Sequence, residues 1–380
     1  MVYSFSDILI PYSEKNSDNL YEPVAVGKYG IRKRSDIYKK ELSDDYTKNK
    51  VIHKDTLTIG MGSKQIDFGV LKDNEDYSVS PAYKTFKINT SIIMSSYLDL
   101  YLMVFNHYLT QKYMIASARQ GKKVDVENFL KEKINVPNFE IQTQTVKNIN
   151  SVRDIIDLNQ KYEQILDEYI VSYFYELFGD PVFNQKRWTT LPLEEACAAI
   201  VDCPHSTPKY TDENTGFMCI RTSIVKKNNL LWDDIEYIQE DEYYTRIKRK
   251  KPEKGDVVYT REGGILGIAA IIDRDCNVAL GQRSMLLSPD YAKCNSEFLS
   301  VAMNFDSFLT KALKDKGGSA SPHINVGDIR NFCMIIPPIE LQNTFSIFYR
   351  EVMELKNNIR KRNTLYEEFI EKNMSENINK

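Results

Sequence analysis

Histidine and tryptophan are scarce in this chain, at four and two among 380 residues, so little imidazole is present for metal or acid–base chemistry. The six cysteines (Cys197, Cys203, Cys219, Cys276, Cys294, Cys333) all fall in the second half, irregularly spaced and with no C-x-x-C pair. That pattern argues for reduced thiols and against a disulfide framework. Cys203-Pro204-His205 with Cys197 fits no zinc spacing, so a packed loop is expected there and no metal site. Long apolar runs are missing too: Ile265 to Ile272 is the longest of note, far below the roughly 20 residues that cross a bilayer. The opening Met-Val-Tyr-Ser-Phe-Ser-Asp places an acid where a signal peptide would be basic,. A cytoplasmic protein without a membrane span is expected. Nor is there an excess of positive charge. Fifty Lys and Arg against 53 Asp and Glu give a net charge of −3, so any nucleic-acid binding must rest on local patches.

Catalytic signatures are absent as well. No G-x-x-x-x-G-K-[ST] loop is present, which removes an ATP-driven motor. Adenine methylation would require a glycine-rich cofactor turn after a strand and an Asn/Asp-Pro-Pro-aromatic motif. Asp180-Pro-Val-Phe183 lacks the second proline and stands where a helix should end. Glu262-Gly-Gly-Ile-Leu-Gly267 has glycines without the cofactor spacing or a following helix, and reads as a strand-connecting turn. Nothing resembles a nucleophile elbow. No catalytic residue is assigned, and the chain alone is expected not to be an enzyme.

What is present is a repeat. At 42% hydrophobic and 27% charged, the composition is that of a folded protein,, and the length suggests two or three domains. Displaced by 200 residues, the sequence matches itself without gaps from about 124 to 170. Val126, Pro137, Glu140, Gln142, Val152, Lys161, Glu168 and Ile170 meet the same residue types at 326, 337, 340, 342, 352, 361, 368 and 370. Both copies carry a long helical pattern. Phe345, Phe348, Val352, Leu355, Ile359, Arg362, Tyr366 and Phe369 step by three and four, as in a coiled-coil seam,. Val152, Ile155, Asn159, Tyr162, Leu166, Tyr169 and Tyr173 repeat that phase, with Asn159 and Arg362 expected to set register,. Pro137, Pro337 and Pro338 precede the helices, and Gly179-Asp180-Pro181 should end the first,. Helices this long cannot bury a seam alone, so the two are expected to pair antiparallel.

Between the helices lie mixed segments. Thr56 to Ile59, Phe68 to Leu71, Thr85 to Ile88, Phe217 to Arg221, Asp256 to Thr260, Ile268 to Ile272 and Arg283 to Leu287 read as strands,. Tyr97 to Tyr113 and Phe298 to Leu313 read as helices. Basic and amide side chains gather in their glycine-flanked turns: Lys28, Arg32, Lys33 and Arg34; Lys64 and Gln65; Arg119, Lys122 and Lys123. In the second segment Lys209, Tyr210, Arg221, Arg261, Gln282 and Arg283 hold comparable places, followed by Gly317-Gly-Ser-Ala-Ser321. Arginine and glutamine on loops can donate bidentate bonds to purine edges, while lysines and backbone amides hold phosphates. The run Arg246 to Lys251 is expected to be solvated or to touch phosphates.

The order of parts, with Asp202-Cys-Pro-His-Ser-Thr-Pro208, Tyr210, Cys219-Ile-Arg221, Lys254-Gly-Asp-Val-Val258, Gly281-Gln-Arg283, Gly318, Ile324-Asn-Val326 and Ile335-Ile-Pro-Pro-Ile-Glu-Leu-Gln342, resembles the specificity (S) subunit of type I restriction-modification systems. In the first half only Gly121 to Val126 and Val136 to Gln142 match that pattern. The resemblance implies an α+β fold with two target-recognition domains (1–142 and 180–339), separated by a pair of long antiparallel coiled-coil helices (143–179 and 340–380). An internal pseudo-two-fold repeat would relate the halves. It further implies double-stranded DNA as ligand, with Lys28, Arg32, Arg34, Lys64, Gln65, Arg119, Lys122, His205, Lys209, Tyr210, Arg221, Arg261, Gln282, Arg283, Ser319 and Ser321 as contacts. Val152, Ile155, Tyr162, Tyr169, Phe345, Phe348, Val352, Leu355, Ile359 and Phe369 would form the seam. Two methyltransferase subunits would be partners, joined by restriction subunits in a cleaving complex. S-adenosylmethionine, ATP and magnesium would be held by those partners, with no cofactor in this chain. A self-contained DNA methylation or restriction enzyme and a coiled-coil protein scaffold are the competing readings. Turnover by the purified chain would favour the first, and absence of salt-dependent DNA binding the second.

Overall fold

The computed structural model describes residues 1–28, 30–38, 43, 45–117, 121–313 and 323–379. Two compact units emerge, Met1–Gln160 with Arg360–Lys380, and Lys161–Ile359.

In the first unit an antiparallel four-stranded sheet runs in the order Leu9–Tyr12, Lys84–Ile88, Thr56–Met61, Ile66–Leu71. The second unit repeats that order with Cys197–Asp202, Ser284–Pro289, Val257–Thr260 and Ala269–Ile271. Short strands repeat as well: Val2–Ser4 pairs with Lys133–Asn135, and Thr190–Pro192 with Cys333–Ile335. The expected strands are therefore present. Each unit adds a smaller sheet, Glu14–Lys15, Lys50–Ile52 and Tyr77–Val79 in the first, and Tyr210–Thr211, Glu236–Ile238, Met218–Ile220 and Val278–Leu280 in the second.

The two shorter helices expected at 97–113 and 298–313 are each broken in two. Ser95–Val104 is followed by Asn106–Tyr113, and Ser296–Met303 by Asp306–Leu313. An asparagine at each break explains it. Asn106 Nδ2 donates to the Ile66 carbonyl at 3.0 Å, and Asn304 exchanges two 2.9 Å bonds with the Ala269 backbone. Both receivers begin the outer strand of the main sheet, so the side chain docks the break onto the sheet edge instead of extending the helix.

The long helices span Phe139–Phe178 and Ile339–Asn379, 40 and 41 residues, each about 60 Å at 1.5 Å per residue. Asn138 caps the first by accepting from Ile141 N at 2.9 Å, and Gly179, at φ +76°, ends it as expected,. Each unit takes the first half of one helix and the second half of the other. The first core receives Ile149 and Ile156 from one, and Ile370 and Met374 from the other. The second receives Phe345, Tyr349 and Ile359, with Ile170, Phe174 and Phe178. Antiparallel pairing follows from the contacts within each unit. Asn159 donates to Asn363 at 2.7 Å in the first; in the second Lys356 pairs with Asp167, and Tyr173 lies 4.4 Å from Phe348 between ring centroids.

The expected seam needs correction. Phe345, Val352 and Ile359 are buried, and Val152 and Phe348 partly so. Tyr169, though half exposed, still meets Phe348 edge-on at 5.0 Å between ring centroids, whereas Ile155, Tyr162, Leu355 and Phe369 are exposed, with Ile156, Lys356 and Ile370 buried beside three of them. The helices carry apolar residues on two faces, and the inner face packs on the sheets as well as on the partner helix.

One pair of residues fixes each helix to its own domain. Gln142 and Gln342, both fully buried, use the same three bonds. Gln142 accepts from Met94 N and donates to the Ile92 and Pro137 carbonyls at 2.7, 3.3 and 2.9 Å. Gln342 accepts from Asn295 N and donates to the Lys293 and Pro337 carbonyls at 2.9, 2.9 and 2.8 Å.

Candidate nucleic-acid interface

In the second unit, strand geometry brings the sequence-derived candidates together. Met218–Ile220 and Val278–Leu280 pair in parallel, so Arg221 and the turn Gly281-Gln282-Arg283 leave the sheet at the same end. A Cβ on Gly281 would lie 2.9 Å from the Ile220 carbonyl oxygen and 3.5 Å from the Tyr210 hydroxyl, so only glycine lets the turn approach this closely,. Arg221 is exposed, pairs with Glu236, and lies over the Tyr210 ring at 5.2 Å. Burial pushes the Tyr210 phenol above its ordinary 10.0, against the pull of Arg221, and so keeps the hydroxyl neutral and able to donate. Arg283 is exposed and holds φ +75°, a left-handed conformation that non-glycine residues rarely adopt,.

The loop Asp202 to Lys209 supplies the remaining candidates. His205 and Lys209 are exposed. Asp202 is the joint of the loop: its Oδ2 lies 3.1 Å from His205 Nε2 and its Oδ1 accepts from Arg261 Nε at 3.0 Å. Arg261 is 5% exposed and its Nη1 sits 2.5 Å from Glu262, so it holds the loop and does not present its guanidinium to solvent. That corrects its expected place among the DNA contacts. Arg246 is likewise no solvated charge. It is buried, bonded to Glu242 at 2.7 Å and to the Ser206 carbonyl at 2.8 Å. The Glu242/Arg246 spacing of four on one helix was a usable signal for this ion pair. Asp202 and Glu236 complete the cluster without having been singled out as contacts, and exposed Arg249, from the run expected to be solvated or to touch phosphates, joins it through the Asp202 carbonyl. Burial also raises the Cys203 thiol above its ordinary 9.0, which leaves it a packing group.

In the first unit, Lys28 is exposed at the turn between Val24–Gly27 and Gly30–Lys33, and Arg32 is exposed on the second of these strands. Arg34 lies 4.9 Å from the centre of the Tyr38 ring. This hairpin packs on Gly69 of the main sheet, where a Cβ would fall 2.7 Å from Ile31 and 2.9 Å from Val26. Exposed Lys64 and half-buried Gln65 occupy the turn from Thr56–Met61 to Ile66–Leu71, and exposed Lys122 a separate hairpin, Met114–Ser117 with Gly121–Val124. Arg119, Ser319 and Ser321 lie outside the described residues. Among the described residues no group of three or more His, Cys, Asp or Glu could hold a metal ion, and no helix is long and apolar enough to cross a membrane. All six cysteines are free.

A duplicated mixed domain, loops carrying basic and amide groups, and two long helices that each contribute to both units define a class of protein built from two like domains on a helical frame. The family described as the type I restriction modification DNA specificity domain matches twice, at residues 4–167 and 185–368, and the chain belongs to that family. It is 24% identical over 270 residues to the type I restriction enzyme MjaVIII specificity subunit of Methanocaldococcus jannaschii, an alignment covering 65% of this chain and 62% of that subunit. A chain solved in work on complex assembly and conformational transition of the type I R-M system superposes with a TM-score of 0.56 at 14% identity, covering 100% of this chain and 97% of that one.

Proposed function

We propose that the chain is the non-catalytic specificity subunit of a type I restriction-modification complex, reading a bipartite target in double-stranded DNA in the cytoplasm. Each mixed domain takes one half of the target, and the paired helices hold the spacing between halves. Two methyltransferase subunits carry S-adenosylmethionine and modify adenine at N6. In a cleaving complex, restriction subunits use ATP and magnesium. The observation that carries this reading is the duplication itself: two domains of one topology, each completed by both long helices. In the first domain Lys28, Arg32, Arg34, Lys64, Gln65 and Lys122 are the proposed contacts. In the second they are His205, Lys209, Tyr210, Arg221, Gln282 and Arg283.

Along the first long helix Ile155, Leu158, Tyr162, Ile165 and Tyr169 are all exposed and step by three and four,. This outward seam is the proposed dock for methyltransferase helices. The test is sequencing of methylated adenines in a host that expresses this chain with its methyltransferase subunits and no other specificity subunit. A split motif is expected, and exchanging residues 1–142 should change one half only. Methylation that persists unchanged without this chain would refute the reading.

A further inference from the structure

The reading loop of the second domain is held from behind by two buried arginines, Arg261 and Arg246, and by the exposed Arg249. Arg261 binds Asp202 through Nε and Glu262 through Nη1. Arg246 Nη2 takes the Ser206 carbonyl at 2.8 Å, and Arg249 Nη1 the Asp202 carbonyl at 3.2 Å. Backbone bonds join the same parts. Arg261 N–H donates to the Arg283 carbonyl at 3.0 Å, Ile324 N–H to the Arg261 carbonyl at 2.9 Å, and Cys203 N–H to the Ser284 carbonyl at 3.3 Å. Asp202 spends one carboxylate oxygen on Arg261 and the other on His205. The exposed imidazole of His205 and the exposed, left-handed Arg283 are thus both anchored on one buried residue.

A buried guanidinium cannot lose an acceptor without either stranding its charge or moving, so these contacts shift together. Base readout, for its part, requires donors held to within about 0.5 Å before the ligand arrives. We propose that Arg261, which touches no DNA, is the positioning residue for base discrimination by the second domain: it fixes His205 through Asp202 and Arg283 through the backbone. This inference rests on the specificity-subunit reading above and adds to it a residue that sets specificity without contact.

The test uses the full chain expressed with its methyltransferase subunits, with the methylated motif sequenced for wild type, Arg261→Lys, Arg261→Met and Asp202→Asn. In Arg261→Met, discrimination at the half-site read by the second domain should fall about tenfold, the effect of weakening one base contact. The other half should stay intact. Arg261→Lys, which can still reach Asp202, should recover part of the loss. A uniform fall in methylation with an unchanged motif means that Arg261 only supports the fold, and overturns the proposal. Should Arg261→Met fail to assemble, Asp202→Asn decides. It keeps an oxygen for the guanidinium but removes the charge shared with His205, so the same half must loosen, and an unchanged motif overturns the proposal. A wild-type complex without a split motif would instead refute the underlying function.

Discussion

His53 shows how far one side chain can bind the first domain together. It follows Lys50–Ile52 in the small sheet, with Nδ1 2.8 Å from Asp76 Oδ1 and Nε2 3.3 Å from Glu14 Oε2. Tyr12, which donates to Glu14, packs its ring against the imidazole at 5.9 Å, and Lys87 lies 4.5 Å from the Tyr12 ring centre. Burial acts to lower the imidazole pKa, but hydrogen bonds to Asp76 and Glu14 outweigh it, so His53 titrates above its ordinary 6.5. The Glu14 carboxyl is held below its ordinary 4.5 by Tyr12 first and by His53 second, so it stays ionised across the range. A group whose pKa rises on folding stabilises fully below its unfolded value, and that stability is lost as pH rises through the folded value. The difference in urea midpoint between wild type and His53→Gln should therefore be widest well below the ordinary value of 6.5 and shrink as the pH rises above it,. A difference that stays constant over that range would contradict the protonated bridge.

Positions 156 and 356 test what a buried charge does inside a repeated element. Ile156 packs in the first core, and its counterpart Lys356 is 2% exposed with its ammonium on Asp167. Replacing a buried ion with an apolar residue of similar size is often neutral or stabilising, whereas removing only the partner strands the charge. Lys356→Met should melt at or above the wild-type temperature. Asp167→Ala should cost roughly 1–3 kcal/mol, the usual penalty reduced because Asp167 is half exposed, and Lys356→Met in that background should restore the loss. A double-mutant cycle by thermal melting measures this, and a destabilised Lys356→Met would sink it. The same helices show what the sequence could and could not reveal. Gln142 with Gln342 and Pro137 with Pro337 stood out at a displacement of 200 because no insertion separates them. The amino-terminal match was hidden, since Val2–Ser4 corresponds to Thr190–Pro192 at a displacement of 188, and an ungapped comparison passes over it. The seam's period was legible but not its side. A stripe stepping by three and four looks the same whether it faces a core or an absent partner. At the site, exposed turn residues such as Lys28, Lys64 and Arg283 were legible from flanking glycines. The burial of Arg261 was not, because its partners Asp202 and Arg283 are distant in sequence.

Each unit carries apolar side chains on the long helices that its own fold does not cover. Leu158, Ile165, Tyr169, Tyr175, Leu365 and Phe369 are each more than 40% exposed on the long helices, and large exposed apolar patches mark interaction sites in folded proteins. A net charge of −3 and a pI near 6.0 give little repulsion to keep such surfaces apart,. The chain expressed alone should therefore self-associate, most strongly at about pH 6, as read by light scattering, and the proposed methyltransferase partners should suppress this. Charging the stripe separates docking from folding. Ile165→Lys with Tyr162→Lys alters side chains that are 57% and 44% exposed, so the melting temperature should barely move. Burying each of these side chains in an interface contributes about 1.5–3 kcal/mol, so losing both should weaken partner binding roughly a hundredfold or more. The double variant should remain monomeric at pH 6 and fail to copurify with the methyltransferase subunits. Phe183→Lys, at a site 72% exposed and off both long helices, should copurify normally. If the helix variant still assembled at wild-type affinity, the outward seam would not be the dock, and the partners would have to be held by the domains instead.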